Sequence, residues 1–516
     1  MPVIVSRKNM SLVVPGVPGV ISMFPKAKLL PDGSAIIPHG MRETLMLRHL
    51  GFKIPNPFLL YYDWVGGKPF AVQRASVGML TENAHAYLLS QFGTGKTKVA
   101  LWSWDCLNKA ALAGKMLVVA PLSTLKFVWQ SEAFRTLPGR KVQVLYGSRQ
   151  QRLDALAVDA DIYVINHDGL KVIVDALYTR PDITCLVIDE LAVYRNNSDR
   201  SKLMRKFAKR FQIVWGMTGA PMPNSPTDVW AQAMIITPNT VPQSKNRVRD
   251  ILMINKGPYL WVPKPDAVEK AFRMLQPAVR YALDDVVELP PMIPRLIDVP
   301  LSAQQQKVYD KVKKEFTETV WGKKIVALNA GAAMSKLLQI AGGWVYTQAP
   351  DFVRLDAAPR VVALVDLIES AEHKVIVFVP YRHMIEGLST ILQLPKINID
   401  HAVVHGDTTD REKIFYLFQQ TEKYKVLLAH PGTIHHGLTL TAADTCIWYL
   451  PVPSLDIYDQ ANARIRRIGQ AHKQQLLHLQ STPIEKKLYS LLRAKQKIQT
   501  ELLNLFEEQT TARGPL

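Results

Sequence analysis

A lysine behind two glycines, and a pair of acids at the end of an apolar run, are the residues of this sequence best suited to act on a phosphate. Residues 90–97 read Ser90-Gln91-Phe92-Gly93-Thr94-Gly95-Lys96-Thr97. They lie between an apolar run at 86–89, which predicts a buried strand, and a helical pattern from Lys98 onward. Strand, glycine loop and helix together make the setting of a phosphate-binding loop. Gly93 and Gly95 let backbone N–H groups and the helix N-terminus face a phosphate. Lys96 would then reach the β- and γ-phosphates, and the Thr97 hydroxyl would hold Mg²⁺. Ser90 stands where the longer form of the loop has glycine, so this is the shorter Gly-x-Gly-Lys-Thr form.

The acids are Asp189 and Glu190, closing the apolar run Cys185-Leu186-Val187-Ile188. Beside a phosphate loop, Asp189 suits Mg²⁺ held through water, and Glu190 suits polarisation of an attacking water. Standing alone, such a pair is a helix cap or a surface pair. Thr218-Gly219-Ala220-Pro221 follows another apolar run and would share the same sheet edge, where Thr218 could pass on the state of the nucleotide; a plain turn is the alternative. In the second half, Arg464 and Arg467 are three apart, which on a helix turns both the same way. Two guanidiniums there suit arginine fingers on a γ-phosphate, against the alternative of a solvated basic helix. Gln73, upstream of the loop, has an amide able to read an adenine edge or simply to face water. His430, His435 and His436 come without the acidic or cysteine companions that a metal cluster needs.

These residues require elements to carry them. Short apolar runs at 86–89, 116–120, 161–165, 185–189 and 212–217 alternate with helical stretches, as parallel strands covered on both faces do. A second series runs through 374–379, 401–405, 425–429, 445–450 and 476–479. The expected fold is α/β, with two tandem RecA-like domains of parallel sheet flanked by helices. Residues 1–65 form a small β-containing accessory segment, 66–290 a nucleotide-binding lobe, and 291–516 a second lobe ending in an amphipathic helix over 484–506. Residues 289–294 read as a linker, followed by a helix from Ala303 to about Thr319 capped by Ser302.

With 516 residues, 48% hydrophobic and 21% charged, the composition is that of a multidomain globular chain. No uncharged apolar run approaches the roughly 18 residues of a membrane span, and no leader pattern opens the chain. An intracellular, cytoplasmic protein is expected, with no membrane partner. Three isolated cysteines supply neither a disulfide framework nor a zinc site. A net charge of +19 favours a phosphodiester-binding face over a solvated basic surface that merely keeps the chain soluble, without telling DNA from RNA.

Taken in order, these motifs resemble the superfamily-two helicases, and among them the Swi/Snf-like DNA translocases, from about Lys68 to Gln509. Gly93 to Thr97 is similar to motif I, residues 119–124 to motif Ia, and residues 189–198 to the extended DEAH box. Thr218 to Pro221 resembles motif III, residues 375–379 motif IV, and Gly437 to Asp444 motif V. Residues 460–470 are close to motif VI, the most family-specific match. The resemblance implies ATP on Gln73, Gly93, Thr94, Gly95, Lys96, Thr97 and Lys98, with Mg²⁺ at Thr97 and Asp189. It implies Lys96, Asp189, Glu190, Arg464 and Arg467 in catalysis, and Thr218 and Gln460 in coupling. Ser123, Thr124, Thr439 and Thr441 are implied to lie along a DNA phosphate track. The activity implied is ATP-dependent movement of a monomer along double-stranded or branched DNA without strand separation, serving fork or recombination intermediates. A strand-separating helicase and a nucleic-acid scaffold with a vestigial ATPase are the rival readings. Four departures stand out: Ala192 in place of the DEAH histidine, His435-His436-Gly437 in motif V, Arg280-Tyr281 for paired arginines, and no long insertions. The compact form is similar to bacterial, viral and fork-remodelling relatives.

Overall fold

The computed structural model describes residues 3–16, 21–257, 260–315, 317–320, 323–326, 330–347, 351–434 and 439–512. They form two compact units, Met1–Val286 with Thr500–Leu516, and Val287–Gln499.

The first unit is built on a seven-stranded, wholly parallel sheet. Its strands run in the order Ala278–Val279, His85–Leu88, Ile213–Met217, Ile183–Ile188, Lys115–Ala120, Ile162–Asn166 and Val142–Leu145. Three of the strands, Ile162–Asn166, Ile213–Met217 and most of Ile183–Ile188, are buried at nearly every position, because helices cover both faces. The continuous apolar runs of the sequence are the consequence. The outermost strands, Val142–Leu145 and the two-residue Ala278–Val279, carry too little apolar pattern to be read locally.

Ahead of this sheet, Ile4–Ser6, Ser11–Val14, Ala35–Pro38 and Lys28–Leu29 make a four-stranded antiparallel sheet in that order. Leu12, Val14, Phe24, Ile37, Leu47 and Ile54 are its core. The connection that follows is stitched to the sheet domain by polar bonds. The Asn56 amide donates to Gly78 O and Glu82 Oε1, the Tyr62 hydroxyl to Asp105 Oδ2 at 2.6 Å, and the Trp102 indole to Val65 O at 3.0 Å.

The second unit holds a six-stranded parallel sheet in the order Met292–Asp298, Gln474–Gln480, Ala443–Trp448, Lys374–Phe378, Val426–Ala429 and His401–Val404. Along the Lys374–Phe378 strand, Val375 and Val377 enter one core while Ile376 and Phe378 enter the other, as a strand's period of two requires.

Two expectations are corrected here. Met292–Asp298, expected within and after a linker, is the edge strand of the second sheet. Pro294 disguised it, yet a proline sits without cost where its missing N–H faces away from the ladder. The helix expected to reach Thr319 stops at Glu315, and Thr317–Val320 pairs with Lys323–Val326 as a hairpin. Thr317, Thr319 and Val320 are β-branched and favour the extended form. The closing helix runs Pro483–Ala512. Cys106, Cys185 and Cys446 are free and buried, and burial pushes each thiol well up from its ordinary value. Among the described residues, no helix is long and apolar enough to cross a membrane.

Candidate nucleotide site

The phosphate loop leaves the carboxyl end of the His85–Leu88 strand and enters the Lys96–Lys109 helix. Gly93 and Gly95 both adopt left-handed backbone, at φ +85° and +82°, and Gly95 is the N-cap of that helix. The turn therefore needs glycine at both places. The Lys96 ammonium folds back over its own loop, donating to Ser90 O at 2.8 Å and Gln91 O at 3.0 Å. It also sits 5.0 Å from the centre of the Phe92 ring. Thr94 is buried and donates to Gln91 O, whereas Thr97 and Lys98 are half-buried on the first helical turn, with Lys98 3.5 Å from Glu132.

Gln73 is not a surface glutamine. It is 4% exposed, its Oε1 accepts from Phe70 N at 3.1 Å, and its Nε2 donates to Thr94 O at 3.0 Å. In this structure the amide braces the loop from behind. A second brace comes from the far end of the unit. Arg280, 2% exposed, donates to Leu89 O, Tyr281 N donates to Ser90 Oγ, and Leu283 N to Gln91 Oε1. Sequence reasoning missed this clamp, since its partners lie 191 and 192 residues apart.

Strand order brings the other motifs alongside. The strands ahead of the loop, Thr218, Asp189 and Ser123 are four consecutive neighbours in the sheet, and all run the same way. Thr218 is fully buried; its N–H donates to Leu88 O and its hydroxyl accepts from Ala220 N. A Cβ on Gly219 would lie 3.1 Å from the Phe92 ring, so this turn packs directly on the phosphate loop. Asp189 accepts the Trp129 indole N–H on Oδ2 at 2.9 Å and the Glu190 N–H on Oδ1 at 3.0 Å. Burial raises its carboxyl above the usual range, and the Trp129 bond, the Lys96 charge and the Glu190 N–H oppose that rise. Glu190 has φ +50°, a left-handed conformation that an ordinary residue adopts only under tertiary constraint. Ser123 is exposed, while Thr124 is buried and donates its hydroxyl to Pro121 O.

In the second unit, Ser454 caps the helix Leu455–Asn462, which stops before either candidate arginine. Arg464 and Arg467 lie in the turns beyond it, a correction to the helical placement. Tertiary bonds end the helix: Asn462 Oδ1 accepts the Trp448 indole, and Arg464 O accepts Leu440 N. Both guanidiniums fold back, Arg464 Nε onto Gln460 O and Arg467 Nε onto Ala463 O. Gln460 is buried and donates to Asp456 Oδ1. Arg467 Nη1 approaches Thr439 Oγ1 at 3.4 Å, whereas Thr441 Oγ1 accepts from Gln419. His435, His436 and Gly437 lie outside the described residues.

The first unit thus gathers a glycine loop, a lysine, a hydroxyl and two carboxylates on one sheet edge. A hydroxyl and a carboxylate are the hard oxygen donors that Mg²⁺ prefers, so Thr97 and Asp189 fit that ion together with a nucleotide's phosphates. When bound, it would neutralise charge on the phosphate oxygens.

A family model described as SNF2-related domain matches residues 73–342, and a helicase conserved C-terminal domain matches residues 359–469. Protein p41 of the Acyrthosiphon pisum secondary endosymbiont phage 1 is 26% identical over 435 residues, covering 80% of this chain and 90% of that one. An uncharacterized ATP-dependent helicase of Mycoplasma genitalium is 25% identical over 422 residues, 80% of this chain but 39% of that protein. The chain therefore spans well under half of that helicase's length. The solved Sulfolobus solfataricus SWI2/SNF2 ATPase core in complex with dsDNA superposes with a TM-score of 0.41 at 20% identity, over 87% of this chain and 97% of that one.

Proposed function

Since this chain belongs to the SNF2-related family, we propose that it is an ATP-driven translocase on double-stranded DNA. The observation that carries the reading is the convergence of loop, Thr218, Asp189 and Glu190 on adjacent parallel strands, with a basic balance of +19 for the whole chain. In this reading Gly93, Thr94, Gly95, Lys96, Thr97 and Lys98 hold the ATP phosphates, and Gln73 keeps the loop in shape. Thr97 and Asp189 hold Mg²⁺. Glu190 takes a proton from the attacking water, and Arg464 and Arg467 act on the charge that develops at the γ-phosphate. Thr218 and Gln460 pass the nucleotide state onward. Ser123, Thr439 and Thr441 meet the DNA backbone, a contact that follows phosphates and ignores sequence; the buried Thr124 shapes the turn that presents Ser123. The task we assign is remodelling of forks or recombination intermediates by branch migration or annealing.

ATPase rate measured against matched duplex DNA, branched DNA, single-stranded DNA and RNA tests this, with Lys96→Ala as the control. Strongest stimulation by duplex or branched DNA, lost in Lys96→Ala, is expected. Stimulation by single strands alone, with displacement of a strand from a tailed duplex, would replace the translocase by an unwinding helicase. Turnover surviving in Lys96→Ala would remove the nucleotide site itself.

A further inference from the structure

One hydrogen bond at the nucleotide site comes from a residue that none of the chemistry above uses. Trp129 is fully buried and donates its indole N–H to Asp189 Oδ2 at 2.9 Å. It belongs to Leu125–Gln130, a stretch of π-helix. The wider turn of a π-helix admits an extra residue, and such turns concentrate at functional sites. Within it Leu125 and Trp129 are buried, whereas Lys126 and Phe127 face outward. Leu122 and Phe127 are 52% and 58% exposed, and Ser123 and Lys126 are exposed beside them. The helix that follows, Ser131–Thr136, is held from the phosphate-loop helix by the Lys98–Glu132 ion pair. One short segment is therefore tied inward to the Mg²⁺ carboxylate and the phosphate-loop helix, and outward presents a hydroxyl, an ammonium and an aromatic ring. That outward set suits a nucleic-acid backbone: the ammonium for phosphate, the ring for sugar or base. Position 192, where a histidine would stand in a DEAH box, is a buried alanine with no polar group to relay anything.

We propose that Trp129 is a positioning residue that couples DNA on the Leu122–Phe127 face to the Mg²⁺-holding carboxylate of Asp189. When DNA draws on the outer face, the indole moves with the segment and changes how Asp189 presents its oxygens. The proposal rests on the DNA-translocase reading for its outer half and on the hydrogen bond for its inner half.

The test uses full-length Trp129→Phe, which keeps the ring and removes the N–H. Trp104→Phe serves as the structural control, because Trp104 is equally buried and donates to Gly114 O at 2.9 Å, away from the motifs. Binding of a fluorescent ATP analogue is titrated with Mg²⁺ and again in EDTA, with and without saturating duplex. Removing a partner that orients a metal ligand weakens metal affinity about tenfold or more, so Mg²⁺-dependent tightening should fall by that factor in Trp129→Phe. Binding in EDTA and the melting temperature should match Trp104→Phe. Duplex should shift the Mg²⁺ half-saturation of the wild type and leave that of Trp129→Phe unmoved, as linkage between the two sites demands. Lys126→Ala with Phe127→Ala, both on the surface, should abolish the same shift in a chain whose core is untouched. Equal Mg²⁺ behaviour in Trp129→Phe and Trp104→Phe, or a duplex shift that survives in the surface variant, would overturn the coupling. A wild type indifferent to duplex would instead reject the DNA reading, with the Mg²⁺ titration still deciding whether Trp129 holds Asp189.

Discussion

Gly95→Ala is the most informative single change in the phosphate loop, because the structure gives two separate costs for one methyl group. The first is conformational: φ of +82° places residue 95 in the left-handed region, which costs a residue with a Cβ about 1–2 kcal/mol. The second is steric, since the new Cβ would lie 2.4 Å from Gln73 Nε2. That amide is the movable end of a side chain, so it yields, and its hydrogen bond to Thr94 O is lost at about 1 kcal/mol. The sum, roughly 2–3 kcal/mol, falls on the loop conformation that grips phosphate and weakens nucleotide affinity roughly 30- to 150-fold. Gln73→Ala alone should cost about fivefold, the hydrogen bond only. Because Gly95→Ala has already broken that bond, adding Gln73→Ala to it should cost nothing further. A double-mutant cycle on a fluorescent ATP analogue, with thermal unfolding in parallel, reads the coupling directly. Strict additivity of the two changes, or a Gly95→Ala chain that binds within twofold of wild type, would refute the geometry on which the estimate stands.

Other expectations concern turnover and stability. Lys96→Ala should abolish ATP turnover while leaving the melting temperature unchanged, since the ammonium donates to the Ser90 and Gln91 carbonyls of its own loop and lies outside the hydrophobic core; a cooperative loss of fold would contradict this. His167 and His478 are each held neutral by burial, with folded values of about 4 against an ordinary 6.5. A depressed folded value means that the stability is complete above pH 6.5 and is lost as pH falls from 6.5 toward 4, by about 3 kcal/mol for each histidine. Urea unfolding at pH 7 and pH 5 should show a smaller difference in His478→Gln than in wild type; an equal difference would mean that His478 is protonated without penalty. Arg360 and Glu485 are 1% and 0% exposed and meet at 2.6 Å in the second unit. Arg360→Met should destabilise that unit by about 3–5 kcal/mol, because it strands a buried carboxylate, and calorimetry showing an unshifted transition would disprove that.

What the sequence disclosed follows from how local each signal is. The phosphate loop was legible because its glycines, lysine and flanking apolar run lie within a dozen residues, and the Asp189 and Thr218 turns because each ends a continuous apolar strand. Placing them together needed the strand order, which parallel α/β alternation implies only in outline. The Trp129 bond to Asp189 spans 60 residues, and no local pattern marks an indole as turned inward by a π-helical turn. The clamp from Arg280 to Leu89 was hidden for the same reason. At Arg464 the local pattern was misleading: the run of helix formers predicts continuation, but the bonds of Asn462 to Trp448 and of Leu440 to Arg464 O are tertiary and prevail. For Gln73 the sequence offered an adenine reader or a surface amide, and only the structure shows that both ends of its amide are engaged by Phe70 and Thr94.

The three cysteines open a practical route. Cys106, Cys185 and Cys446 are buried thiols kept in their protonated, unreactive form. A maleimide dye applied to the folded chain should find no native target, so no cysteine has to be removed before labelling. Exposed acids in each unit, such as Asp199 at 99% and Glu422 at 96% side-chain exposure, can be changed to cysteine to carry a donor and an acceptor. Energy transfer between them would then follow the spacing of the two units through an ATP cycle, one molecule at a time, in a chain otherwise unaltered.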